Sequence, residues 1–347
     1  QYDIICRTLG TTEFSSTATL WHEGSELYGR GFLKLPGQTI PVFSDLGLDQ
    51  MFGEDLDTIN RSQNQKFGVY YHICYWTRGP HLTEGCHPEK MAYGYRLAAD
   101  HGELCYSILN VSNVRPVHVS AFLNAKLLCA ASALDLRAEM LALDDSVFGE
   151  YGKTVNGLRW KYYDAFADFG EEPLKNYAED KCFYYRPYPR LGFIRNAATD
   201  GQLVFFGKSV LMHKRDVTFP EVNEETRRIL QNSAKKFKTL YQEAAQLETH
   251  MTKERRRYFR QFLKYQIRHM QLLSEWCVGC MELSEESRPA EQRLASGSHA
   301  CACLRAILEE RKILESGEWT HWHRGDKKIN IIGLLAMTQK ATEAIDR

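Results

Sequence analysis

The first 135 residues alternate short apolar runs with stretches of helical spacing, and that alternation is what most restricts the fold. The run YDIICR, with Tyr2 to Cys6 at its centre, reads as a strand. Ser16 to Arg30 reads as a helix, with Leu20, Trp21, Leu27 and Tyr28 near helical spacing. QTIPVFSD (38–45) and FGVYYHICYW (67–76) read as strands. Pro88 to Gly102 fits a helix with Pro in its first turn and Gly past its end. ELCYSILNVS (103–112) is a further strand, and Pro116 to Asp135 a further helix. Strands alternating with helices imply a parallel sheet, either half of an eight-stranded barrel or a doubly wound layer.

From Asn223 the pattern changes. NEETRRILQNSAKKFKTLYQEAAQLETHM opens with an Asn cap and carries Ile229, Phe237, Leu240, Tyr241, Ala244 and Leu247 on one side. A second helical stretch follows through Trp276 and Cys277, and a third spans about Ala290 to Leu314, ending before Gly317. Long amphipathic helices with short connections indicate an antiparallel bundle. The expected fold is therefore α/β followed by all-α: a partial TIM-barrel-like (β/α) domain over 1–175, an aromatic-rich connector over 176–222, and a helical bundle over 223–347. The aromatics of 183–188 are expected to pack the junction, with sugar stacking as the alternative.

Composition narrows the function. With 44 Lys plus Arg against 44 Asp plus Glu, the net charge is zero, so no nucleic-acid partner is expected. No segment is long and apolar enough for a membrane helix, and QYDIICRTLG lacks the pattern of a signal peptide. Localisation stays open, with the cytoplasm favoured by the absent leader and by ten dispersed cysteines, which are expected to be reduced. CVGC (277–280) and HACAC (299–303) raise a zinc reading, but helical spacing puts Cys277 and Cys280 on the apolar stripe of Leu273 and Trp276. Core cysteines are the preferred reading, and no metal or cofactor is expected. The nucleotide-binding and serine-hydrolase signatures G-x-x-x-x-G-K-[ST], G-x-G-x-x-G and G-x-S-x-G do not occur.

In a parallel α/β layer, the C-terminal strand ends line the binding face. QTIPVFSD ends on Asp45, GVYYHICYW presents His72 and Tyr75, and SILNVSNVR presents Asn110, Asn113 and Arg115. Such hydrogen-bonding groups on one rim suit a polyhydroxylated, anionic ligand; the competing reading is that they cap strand ends. Glu23 in LWHEGSELY is a carboxylic acid beside aromatic groups, which suits proton donation, although an exposed helix Glu is the commoner case. The acidic stretch DLGLDQMFGEDLD offers a second carboxylate or a solvated loop.

LWHEGSELYGRGFLKLPGQTIPVFSDLG, GVYYHICYWTRGPH, ILNVSNVRP and GEWTHWHRGDKKINI together resemble glycoside hydrolase family 115, the xylan α-1,2-glucuronidases and relatives. The resemblance is strongest from 20 to 128 and implies a TIM-barrel catalytic domain followed by a helical bundle. It places Glu23 as general acid or base and retains Asp45 as a catalytic-site carboxylate, with Gly47 where the family motif has Asn. His72 and Tyr75 match its active-site His and Tyr in GVYYHICY, and would contact the sugar together with Asn110 and Arg115. The family's G-M-R-G-D-G-D segment has no counterpart, so the Arg that would pair with a substrate carboxylate is not supplied there.

The expectation is a glycoside hydrolase acting on a terminal uronic acid or related sugar of a plant-type polysaccharide or oligosaccharide. The alternative is a non-catalytic carbohydrate-binding remnant or a fragment of a larger glycosidase; a helical interaction protein is a third reading. Because half a barrel leaves open edges and the chain opens on Gln1, a missing N-terminal portion or another copy of the chain is expected to complete it.

Overall fold

The computed structural model describes residues 2–21, 23–45, 50–53, 55–56, 66–74, 82–111, 113–168, 224–326 and 329–345. Four strands, β1 (Ser16–Leu20), β2 (Thr39–Ser44), β3 (Lys66–His72) and β4 (Glu103–Asn110), form one sheet in the order β1-β2-β3-β4. Every pairing is parallel. Each strand therefore lies beside its successor in sequence, which is the order of a (β/α) barrel; a doubly wound sheet reverses direction at a switch point. A partial β/α domain followed by helices is what the hydrophobic periods predicted.

Two local expectations are corrected. Residues Tyr2–Leu9 form a helix, α1, instead of a strand. Its apolar residues Tyr2, Ile5, Cys6 and Leu9 fall at helical spacing, Arg7 Nε donates to the Asp3 carbonyl, and Gly10 ends the helix at φ +68°. Residues 16–20, expected within a helix, are β1. Thr17 and Thr19 alternate with smaller or apolar neighbours, and Ser16 Oγ lies 2.9 Å from Thr39 Oγ1 across the ladder. The helix begins only at Glu23, as α2 (Glu23–Gly29).

The central strand β3 is buried along nearly its whole length, as a parallel strand covered on both faces should be. Its register with β4 shifts between Phe67 and Gly68, and a Cβ on Gly68 would meet Tyr106 at 3.0 Å. Glycine thus permits the close approach there. Helix α3 (Pro88–Asp100) starts with Pro at N1 and with the His87 ring accepting from the Glu89 amide at 3.2 Å. It lays Met91, Tyr95 and Ala98 into the core, with the Tyr95 ring 5.6 Å from that of Tyr71.

Helices α4 (His118–Ala130), α5 (Leu136–Phe148) and α6 (Gly152–Asp164) follow. The first is shorter than the expected Pro116–Asp135 helix, being led by a 3-10 turn at Arg115–Val117. Between α5 and α6 lies a buried ion pair. Arg159 Nη2 is 2.8 Å from Asp144 Oδ1, and Asn156 Nδ2 donates to Asp144 Oδ2 at 3.1 Å. The aromatic connector read at 176–222 lies outside the described residues.

The helical region comprises α7 (Glu224–His250), α8 (Lys253–Phe259), a π-helical turn at Arg260–Lys264, α9 (Tyr265–Ser284), α10 (Ala290–Glu310) and α11 (Ile331–Glu343). Helix α9 packs against both α7 and α10, and α11 packs against α10. No described helix is long and apolar enough to cross a membrane. Cys277 and Cys280 are buried in the apolar core, as the helical spacing implied.

Glu84, in the loop before α3, fastens this region to the β/α part of the chain. Its carboxylate accepts from the Val119 amide at 2.9 Å and from Ser120 Oγ at the start of α4. Its own amide donates to Gln266 Oε1 at 2.8 Å, and Gln266 Nε2 donates to the Pro116 carbonyl at 3.0 Å. The Tyr162 hydroxyl donates to the Glu84 carbonyl at 2.5 Å.

Burial pushes the Glu84 carboxyl up from 4.5 to about 7, against the pull of the Ser120 hydroxyl, Arg159 and two backbone amides. A carboxyl whose pKa is raised by folding favours the folded state below its unfolded value. That contribution is lost as pH rises through the folded value. Unfolding free energy should therefore fall by on the order of 3 kcal/mol between about pH 4.5 and pH 7 from this group. Glu84→Gln should flatten that portion of the profile in denaturant titrations; an unchanged slope would remove Glu84 as its source.

Candidate functional site

All four strands point the same way, so their C-terminal ends share one rim. Glu23 opens α2 just beyond β1, Asp45 follows β2 directly, His72 ends β3 and Asn110 ends β4. The sheet brings these four sequence-predicted residues to one side of the molecule.

The Asp45–His72 pair is the best-defined part of the rim, and its geometry follows from the ladder. Strand β2 stops at Ser44, paired with Tyr70, while β3 runs on to His72. The backbone N–H of His72 then needs an acceptor, because a buried amide left unpaired is costly. Asp45 supplies it with a side chain: its Oδ2 accepts from the His72 amide at 2.8 Å. Its Oδ1 lies 2.5 Å from His72 Nδ1. One carboxylate thus fixes both the main chain and the ring orientation of His72. The two side chains are 0% and 2% exposed for Asp45 and His72 respectively.

Aromatic rings surround the histidine. The Tyr70 ring is 4.4 Å and the Trp21 ring 5.2 Å from the His72 ring. Asn110 Nδ2 donates to the Tyr70 hydroxyl at 2.8 Å, which links the end of β4 to the same cluster. Gln50 Nε2 donates to the His72 carbonyl at 3.0 Å, from a residue in the left-handed region at φ 55°. Gln50 was not foreseen, since nothing in the sequence pattern places its side chain against the end of β3. Trp21 and Tyr70 were visible within LWHEG and GVYYH, but nothing in the pattern said that their rings meet on His72.

Glu23 is exposed in the first turn of α2, whereas Asp45 is buried beneath the rim. Asp55, from the acidic stretch, is also buried and accepts a hydrogen bond from Ser25 of α2. Tyr75 lies outside the described residues, as do Asp49, Glu54 and Asp57.

Arg115 does not join the rim contacts described above. It is 8% exposed, donates through Nη1 to the Leu314 carbonyl at 2.6 Å, and lies over the rings of Trp319, Phe262 and Trp322 at 4.8, 5.7 and 5.8 Å. Its guanidinium serves the junction between the exit of β4 and the C-terminal turn. Arg115, expected as a substrate-binding residue, is thus placed in packing contacts that join the stretches ILNVSNVRP and GEWTHWHRGDKKINI.

Comparison with known proteins agrees with this architecture. The family model for glycosyl hydrolase family 115 matches residues 1–158. GEWTHWHRGDKKINI, one of the stretches on which the resemblance rested, lies beyond that match. A search of curated proteins finds no match. Among solved structures, a GH138 enzyme targeting pectin rhamnogalacturonan II superposes with a TM-score of 0.61 at 8% sequence identity. The alignment covers 98% of this chain and 57% of that one, so the chain spans little more than half the length of this neighbour. Likeness at that identity shows the fold. Residues 1–158, which contain the whole sheet and its rim, are thus similar to glycosyl hydrolase family 115.

Proposed function

We propose that the chain acts on a terminal uronic acid or related sugar of a plant-type polysaccharide or oligosaccharide, at the rim formed by Glu23, His72 and Asn110. The observation that carries this reading is the buried Asp45–His72 pair, ringed by Trp21 and Tyr70 at the strand ends. A histidine held in one orientation beside aromatic faces suits a sugar, which offers hydroxyls at its edge and C–H groups on its faces. In this reading, residues 1–175 are the partial barrel that carries the site, and 223–347 are a bundle that supports it.

Glu23 is the group assigned to protonate the leaving glycosidic oxygen, being an exposed carboxylate among the described residues of the rim. Displacement from the opposite face by water would require a base about 6.5–9.5 Å from Glu23. Asp45 is better suited to positioning, since both of its oxygens engage His72. The uronic-acid part of the proposal rests on the family resemblance. Pectin is a reasonable second substrate class because the structural neighbour targets rhamnogalacturonan II.

The occupation of both Asp45 oxygens also favours a second reading, a carbohydrate-binding module without turnover. The two readings separate on a panel of glucuronic-acid-decorated xylo-oligosaccharides and rhamnogalacturonan II. Hydrolysis by the parent chain, lowered about 10²–10⁴-fold in Glu23→Gln with binding kept, is the expected result. Full activity in Glu23→Gln would reject the assignment of the acid, and saturable binding without product would select the binding module.

Asp45→Ala tests the positioning role. It leaves the buried His72 amide without its acceptor, so stability should fall by about 1–3 kcal/mol, and affinity for the sugar should fall with it. Thermal unfolding and calorimetric titration would report both. Glu23→Gln, at an exposed position, should leave the unfolding midpoint unchanged.

A further inference from the structure

A cluster of metal-ligand type lies in the helical region, away from the strand-end residues described above. His299 and Cys303 are four residues apart on α10, which puts them on one face one turn apart. Glu275 faces them from α9. The close approach of these helices is permitted by Gly279, one turn after Glu275, where a Cβ would meet the Ser296 carbonyl oxygen at 2.9 Å and the Ala300 Cβ at 3.0 Å. Ala300 lies between His299 and Cys303 in sequence, so the glycine contact brings the two helix faces together at the level of the cluster.

We propose that Glu275, His299 and Cys303 form a zinc site, with one further position open to solvent. The donor separations carry the argument. Cys303 Sγ is 3.6 Å from His299 Nε2 and 3.8 Å from Glu275 Oε2, and His299 Nε2 is 3.9 Å from Glu275 Oε2. A tetrahedral zinc with its usual bond lengths of about 2.3 Å to sulfur and 2.0–2.2 Å to nitrogen and oxygen requires donors about 3.4–3.6 Å apart. A contraction of a few tenths of an ångström would therefore seat the ion.

Thiolate, imidazole and carboxylate together suit zinc better than the hard cations that prefer all-oxygen shells. The ionised thiolate and carboxylate would balance the charge of a divalent ion. The open position follows from burial: Cys303 is 3% exposed, while the His299 side chain is 59% exposed and the Glu275 side chain 25%.

The surroundings orient the carboxylate. Gln271 Nε2 donates to Glu275 Oε1 at 3.0 Å, leaving Oε2 as the oxygen directed at His299 and Cys303. Gln271 is fixed in turn by Arg268, whose Nη1 donates to Gln271 Oε1 at 2.9 Å and whose Nε pairs with Glu310 at 3.6 Å. Holding a ligand from outside the coordination sphere in this way is how protein metal sites fix geometry. HACAC thus divides by helix face: Cys303 belongs to the cluster, while Cys301 is buried beside Thr342 of α11.

The test uses the full chain, stripped with a chelator and titrated with Zn²⁺ alone against a chromophoric competitor. One tight equivalent is expected, and affinity should fall at least about tenfold in Cys303→Ser and in His299→Ala, with Cys301→Ser as the unaffected control. Co²⁺ in place of Zn²⁺ should give a near-ultraviolet sulfur-to-cobalt charge-transfer band that Cys303→Ser abolishes. Should Cys303→Ser not fold, as judged by circular dichroism, the exposed His299→Ala decides alone. Failure of the parent chain to bind zinc, a cobalt spectrum without the sulfur band, or parent-like affinity in His299→Ala would overturn the site.

Discussion

The buried carboxylate of Glu84 holds together elements that are distant in sequence. It meets the first turn of α4 with its side chain, and through its backbone it meets Tyr162 of α6 and Gln266 of α9. Gln266 then returns to the Pro116 carbonyl, so the loop before α3, the turn before α4 and the helical region close one hydrogen-bonded ring. Buried polar groups in such a ring are costly when unpaired and specific when paired. The apolar packing between sheet and helices has no comparable directionality. Glu84 therefore ties the helical region to α4, α6 and the loop before α3, and Arg115 repeats the device with the Leu314 carbonyl and the C-terminal tryptophans.

The rim depends on the same principle at a smaller scale. A parallel ladder leaves its last amide without a partner when one strand outruns its neighbour. Here β3 outruns β2, and Asp45 fills the gap with a side chain that also takes the ring of His72. On the other flank, the Asn110 carbonyl accepts from the amides of Ile73 and Cys74 at 3.2 and 3.1 Å, while its side chain reaches Tyr70. The strand ends are polar because the ladder runs out there. The same hydrogen bonds give the histidine the fixed orientation that the proposed sugar-binding role requires.

Much of this was legible in the sequence where a residue's role is local. The strands at 39–44, 66–72 and 103–110 and the long helices announced themselves by period, and the rim residues by lying at the ends of apolar runs. The misread segments, 2–9 and 16–20, are short, and a short apolar run fits strand and helix alike. Gly10 after the first and the alternating Thr17 and Thr19 in the second were the informative signals. Contacts across long separations stayed hidden. Nothing around residue 115 indicates that its guanidinium will lie over Trp319, and HACAC does not show which cysteine faces Glu275.

Register is the last link between this sheet and any chemistry at its rim. Ser44 pairs with Tyr70, so Asp45 stands level with the end of β3, where its carboxylate can reach the His72 amide. A slip of one residue between β2 and β3 would turn every side chain of one strand to the opposite face. Phe43 and Phe67, whose rings meet at 6.0 Å in the core, would then be set against the wrong layer, and Asp45 would be buried without its partner. The apolar residues inside the sheet and the polar residues at its end thus select the same register. The positioning of His72 is therefore enforced by the core and does not depend on the Asp45 hydrogen bonds alone.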